Sequence, residues 1–222
     1  MTPSFFKVIL FIIPIVWVSC APTRIVKPLA KGEQTLSFNL GGPLINFAGA
    51  PIPVPLSALS YSKGITATTT AFSGLHTTAL LFGVFQTDIG ICTQLYYNPA
   101  KKFGISINPV INFAIDRWEW NAKLWPELDI NVYKDLGKKC LLYGGMASWF
   151  ELSKIRPHRE IQQQFIFINP HLGFSISTGK WNYCMETKYL MGGIKNKPNV
   201  ADYIGINNHG AIGIYLNVSR KF

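Results

Sequence analysis

The last twelve residues, 211-AIGIYLNVSRKF-222, alternate apolar side chains with small or polar ones as the chain runs to its end. Ile212, Ile214, Leu216 and Val218 share one face, and Gly213, Tyr215, Asn217 and Ser219 share the other, which is the period-two signature of a strand. Phe222 falls on the apolar face. Soluble domains usually tail off into frayed polar residues, so a strand that keeps its pattern to the last position is expected to be paired along its length.

The same pattern fills the chain upstream. Leu36, Phe38 and Leu40 alternate with Thr35, Ser37 and Asn39. Phe103, Ile105, Ile107, Ile111, Phe113 and Ile115 alternate with Gly104, Ser106, Asn108 and Asn112. Leu124, Leu128, Ile130 and Val132 oppose Glu127, Asp129 and Asn131, and Ile166, Ile168, Leu172, Phe174 and Ile176 oppose Asn169, His171 and Ser175. A helical period is nowhere sustained for ten residues in this region. Tight-turn signals stand at 63–68 (KGITAT), 98–102 (NPAKK), 134–139 (KDLGKK) and 177–180 (STGK), built from the residues that reversals require. Between them lie longer connections at 41–54, 114–123, 151–162 and 194–208, with a weaker break near Leu80 to Val84. Short and long connections therefore alternate, as in a meander whose two termini lie at the short-turn end.

These features predict an all-β fold, an up-and-down antiparallel transmembrane β-barrel of about ten strands over residues 33–222. The strands are longer than the soluble mean of about 5–6 residues and suit the roughly 9–11 needed to cross a bilayer. Closure protects the edges of so large a meander. Only 14% of the 222 residues are charged while 48% are hydrophobic, against about 25% charged in an ordinary soluble domain. The polar faces hold mostly Gly, Ser, Thr and Asn, a poor surface for water but suited to a crowded barrel interior. A soluble calycin-like ligand-binding barrel shares the period and makes the opposite prediction, with Ile105, Ile130, Ile168 and Leu216 turned inward.

The terminal strand ending in Phe222, with Tyr215, Leu216 and Val218 within it, resembles the C-terminal signal of bacterial outer-membrane β-barrels. That resemblance implies an outer-membrane location, with Phe222 as an insertion signal read by the barrel-insertion machinery, and outer-membrane lipids as the surroundings. The N-terminus reads as an export signal over residues 1–19: Lys7, then an apolar run from Val8 to Val18 interrupted by Pro14, too short for a membrane-spanning helix. The following VSCAPT, 18–23, resembles the lipobox of bacterial lipoproteins, which implies acyl chains on Cys20 and anchoring at the periplasmic side. Ordinary cleavage near Cys20 without a lipid is the alternative. Residues 20–32 form a short basic, Pro-containing tether, and Cys92, Cys140 and Cys184 are expected to be isolated apolar residues.

The formal charge of +10 has no accompanying aromatic and basic groove of the kind nucleic acid requires; no nucleic-acid partner is expected. No P-loop, zinc spacing or dinucleotide fingerprint is present, and no cofactor or metal is expected. Basic residues such as Arg117, Lys123, Lys154, Arg156, Arg159, Lys195 and Lys197 decorate the long connections, where lysine and arginine stay solvated. On the polar faces, Asp88, Glu127, Asp129, Glu186 and Lys188 are candidates for a lumen network or the lining of a narrow pore; ten strands enclose little space, which favours packing. The expected role is structural, envelope-maintaining or that of a small-solute pore. A barrel-rim hydrolase for lipid or peptide is the alternative. It needs two or more of His76, Asp116, His158, Asp202 and His209 to converge within hydrogen-bonding reach, and Ser73 and His76, three apart on a strand, point to opposite faces.

Overall fold

The computed structural model describes residues 23–154, 161–196 and 201–222; Cys20, the signal segment and His158 lie outside them. Among the described residues are eleven strands: β1 (Gln34–Phe47), β2 (Ala50–Pro53), β3 (Leu56–Gly64), β4 (Thr69–Leu75), β5 (Val84–Asn98), β6 (Phe103–Asp116), β7 (Ala122–Leu136), β8 (Cys140–Phe150), β9 (Ile166–Thr178), β10 (Trp181–Lys195) and β11 (His209–Lys221). A five-residue helix, α1 (Thr77–Leu81), follows β4. Neighbours pair antiparallel in chain order, except that β2 folds back on the outer part of β1 and β3 pairs with the inner part.

The 211–222 strand closes the barrel. Leu40 stands opposite Leu216 and Thr35 opposite Lys221, and the Phe222 N–H donates to the Gln34 carbonyl at 3.0 Å. With β2 set aside as an extension of the rim, the ten remaining strands form a closed ring in which every strand has a partner on both sides. This removes the exposed row of backbone donors and acceptors that an open sheet of this size carries.

Side-chain direction decides between membrane and soluble barrels. Ile130, Ile168 and Leu216 are 45%, 51% and 49% exposed on the outside, while the alternate positions Asn131, Asn169 and Asn217 are buried inside. The calycin-like arrangement is therefore excluded: the strands wear their aliphatic residues outward and their amides inward, as a bilayer demands. One irregularity retunes the alternation. A register shift between Gln94 and Tyr96 leaves Leu95 and Tyr96 both exposed, and Tyr97 then turns inward to stack on Tyr133.

The four short reversals lie at one end, at 65–68, 99–102, 137–139 and 179–180, and both chain ends of the ring lie with them. Gly137 and Gly179 have φ of 77° and 59°, a left-handed conformation that glycine adopts without penalty. At the other end the wall is uneven. β4 has 7 residues where β5 has 15, and α1 takes the place of the missing strand length.

Candidate functional site: a filled lumen and the cavity above it

The tether residues from Thr23 onward run inside the barrel. Near the short-turn end Gly32 N–H donates to the Gly64 carbonyl (2.8 Å) and Gly64 N–H to the Glu33 carbonyl (2.9 Å). Further in, Leu29 N–H donates to Thr70 Oγ1 at 2.8 Å, Ser106 Oγ to the Val26 carbonyl at 2.6 Å, and Asn108 Nδ2 to the Ile25 carbonyl at 3.0 Å. An extended segment in a lumen needs its backbone groups paired, and the inward Thr, Ser and Asn of β4 and β6 do that. Its own apolar side chains pack on the wall: Ile25 against Phe72, Cys92 and Val110, and Val26 in a cluster with Tyr133, Tyr143 and Cys184. Cys92, Cys140 and Cys184 are free thiols.

Arg24 joins this segment to the wall. Its guanidinium forms an ion pair and hydrogen bond with Glu127, donates to Asn112 Oδ1 at 3.1 Å, and stands 3.9 Å from Asp88. All of these side chains are buried, and Asp88 also meets His76 Nε2 at 3.1 Å. Asp129 accepts from Asn131 Nδ2 (2.9 Å) and Asn108 Nδ2 (3.2 Å) and lies 3.8 Å from His171. Lys188 Nζ lies 2.9 Å from Glu186, which also accepts from Tyr143 Oη at 2.6 Å. The five residues singled out from the sequence thus all lie in the lumen. Asp88, Glu127 and Asp129 surround Arg24 and its neighbours, and Glu186 pairs with Lys188, whose charge also reaches Asp88. Four buried carboxylates against one buried lysine leave an excess of negative charge that is costly in a low-dielectric interior. Arg24 offsets part of that excess, and this imbalance was the available sequence signal for a missing cation.

Two tyrosines fill the lumen below this level. Tyr133 is in register with Gly104, and Tyr143 with Gly173, so each ring lies over a residue without a Cβ; any side chain at either glycine would collide with the ring. Beside the inserted segment, toward the short-turn end, a cavity of about 300 Å³ remains, lined by Ser, Thr and Asn side chains together with charged ones such as Glu33, Asp135, Lys138 and Lys221.

A second cavity, about 720 Å³, opens above the network at the long-connection end. Trp125, Trp149 and Phe167 form a buried cluster in its wall, with Ala114 and Met191 packed against them. Gln86 Nε2, Trp125 Nε1 and Trp149 Nε1 are buried in that wall without a hydrogen-bond partner. The rim charges are already matched. Lys123 Nζ meets Glu151 at 2.6 Å, Arg117 lies over the Trp118 ring at 4.1 Å, and Glu119 accepts from Asn121 Nδ2 at 2.9 Å. Asp116 accepts from the backbone N–H groups of Trp118, Glu119 and Asn121 at 2.9, 2.7 and 3.1 Å.

The hydrolase constellation does not assemble among the described residues. His76 is inside against Asp88, Ser73 faces outward, Asp116 caps its own turn, Asp202 accepts from Asn46, and His209 Nδ1 meets the Asn207 carbonyl. Phe222 is 63% exposed on the outer face, with the Arg220 guanidinium 5.5 Å from its ring.

Architecture of this kind, a closed ten-stranded antiparallel ring with an apolar exterior and a polar filling, is that of outer-membrane β-barrels. The chain is similar in fold to an outer membrane channel from Pseudomonas putida F1, with a TM-score of 0.50 and 8% identity, over 91% of this chain and 100% of that one. It also aligns with the translocator domain of the autotransporter NalP from Neisseria meningitidis, with a TM-score of 0.48 and 10% identity, over 87% and 90% of the two chains. At such identities the likeness is one of fold. No protein-family profile matches the sequence, and no curated protein matches it.

Proposed function

We propose that this chain is an outer-membrane barrel closed by its own N-terminal segment, a plugged envelope protein in place of an open small-solute pore. The observation that carries this reading is the seating of residues 23–32 in the lumen, tied by Arg24 to Glu127, Asn112 and Asp88. The apolar exterior supports the membrane location, and the terminal strand supports delivery through the barrel-insertion machinery. In planar bilayers the unacylated mature chain is expected to give no steady conductance, while deletion of residues 23–32 opens one. A steady open conductance from the intact chain would overturn the proposal.

The same seating bears on the lipid anchor. Lys27 pairs with Asp135 near the short turns at 2.7 Å, whereas the Ile25 carbonyl meets Asn108, whose register partner Asp129 lies six residues further along the same strand. At about 3.3 Å per residue and a tilt near 40°, that is roughly 15 Å into the barrel. Thr23 is three residue steps from Cys20, a reach of about 10 Å. Acyl chains of Cys20 in the leaflet at the short-turn face therefore require the segment to leave the lumen. In this reading an unacylated N-terminus goes with the plugged state, and acylation with the withdrawn one.

A further inference from the structure

We propose that the 720 Å³ upper cavity is a binding site for an uncharged, ring-bearing apolar molecule, which enters it sideways from the bilayer past Leu81 and Phe82. The inference stands apart from the plug, since it needs only the upper half of the barrel.

Size and surface come first. Sites for small organic molecules span about 300–1,000 Å³ and are mostly apolar and aromatic, and cavities with such walls take up apolar guests in preference to water. Here the apolar part of the wall is Trp118, Trp125, Trp149, Phe167, Phe82 and Met191, beside Gln86 and the rim charges. Each rim charge already has a partner in a counter-charge, an amide, a backbone N–H or a ring, so none is left bare to hold an ion or a charged headgroup. An uncharged ligand leaves those pairs intact; a charged one has to be desolvated without a partner.

The entry route follows from the uneven wall. β5 pairs with β6 as far as Val84 opposite Asp116, but its pairing with β4 stops at Leu75 opposite Thr87. Beyond that point only the His76 N–H to Gln86 carbonyl bond, at 3.0 Å, continues the ladder on this side. The wall then passes to α1, a single short turn with no buried residues. Leu81, 85% exposed, and Phe82 line the cavity from this break, while Phe85 on the neighbouring strand is exposed on the outer surface. α1 closes this break, packed on β3 and β5 and held by the Ser57 N–H to Thr78 Oγ1 bond at 2.8 Å, so the wall beside the apolar exterior is here a single helical turn in place of paired strand. Below it, the Arg24 network and the tyrosines occupy the lumen, so the guest stays in the upper half.

The test uses the full mature chain in phospholipid vesicles, with anthracene, an uncharged three-ring hydrocarbon that accepts excitation from tryptophan, as the probe. Transfer from Trp125 and Trp149 is expected to saturate at a probe content where transfer by simple partitioning is still linear. Ala114→Phe, which fills the cavity, is expected to raise the half-saturating content at least about tenfold, and Val84→Phe serves as a second filling variant should the first fail to form a heat-modifiable barrel. Anthracene-9-carboxylate is expected to bind at least about tenfold more weakly than anthracene. Leu81→Lys with Phe82→Lys is expected to slow uptake of vesicle-dissolved probe without changing the final level. Transfer that stays linear in probe, or that is the same in the filled variants, would overturn the site. Equal binding of the carboxylate would overturn the ligand class, and unchanged uptake in the lysine variant would overturn the route.

Discussion

Replacing Arg24 by alanine isolates the contact that seats the N-terminal segment. The change removes the ion pair to Glu127, the hydrogen bond to Asn112 and the nearby positive charge at Asp88, and leaves two buried carboxylates without that cation. Removing one partner of a buried pair costs roughly 3–5 kcal/mol. No strand pairing involves residues 23–28, so the least costly relief is for the segment to leave and for water to reach the carboxylates. The seated-to-withdrawn equilibrium should then shift by about two to three and a half orders of magnitude, at about 1.4 kcal/mol per tenfold. Thr23 is buried, and the labelling rate of a Thr23→Cys variant with a water-soluble maleimide follows the withdrawn fraction when opening is fast relative to labelling. The barrel carrying the native threonine supplies the background from Cys20 and the three barrel cysteines. Adding Glu127→Gln to Arg24→Ala removes one stranded charge and should recover much of the protection. Labelling that is indifferent to Arg24, or a double variant as open as the single, would refute the role given to this ion pair.

The outward faces make a separate prediction: Ile168→Arg or Leu216→Arg should destabilise the folded barrel in lipid by about 2–4 kcal/mol, read as a lower urea midpoint, whereas Ser177→Arg, at the polar lower cavity, should cost much less. Gly173→Val should displace the Tyr143 ring and its bond to Glu186, costing about 1–3 kcal/mol by overpacking, and Gly104→Val should do the same at Tyr133; unfolding midpoints check both. Deleting Phe222 should reduce the fraction of protease-resistant barrel assembled in cells while changing the urea midpoint little, because the residue is exposed and its backbone bond to Gln34 lies at the end of the ladder. Mass analysis of the mature N-terminus, compared with Thr23→Cys labelling, should find acylated chains open and unacylated chains protected.

Much of the architecture was legible because a membrane barrel writes each strand twice, once in the aliphatic face and once in the small polar one. Ile166 to Ile176 shows this plainly, since each successive residue changes side. The lumen position of Glu127 and Asp129 followed from the same parity. Their partners did not, because contacts across the lumen depend on register and closure, which a local pattern does not encode. Arg24 was hidden for a related reason: TRIVKP, a short segment with two charges, reads as a solvated tether, and only the four carboxylates on the wall give its charge a destination. The helix α1 carries no side-chain cap and two threonines in its five residues, so nothing local announces it. The upper cavity depends on the shortness of β4, a property of pairing length that Leu80 to Val84 showed only as a weak break.

The most direct measurement is a set of nuclear Overhauser contacts in lipid nanodiscs between the N-terminal segment and the inner wall. Cross-peaks from the Leu29 amide to Thr70, and from Ile25 and Val26 to Asn108 and Ser106, are the expected result, with residues 23–32 shifted away from random-coil values. Sharp random-coil signals for residues 23–32, with no cross-peak to β4 or β6, would contradict a barrel closed by its own N-terminus.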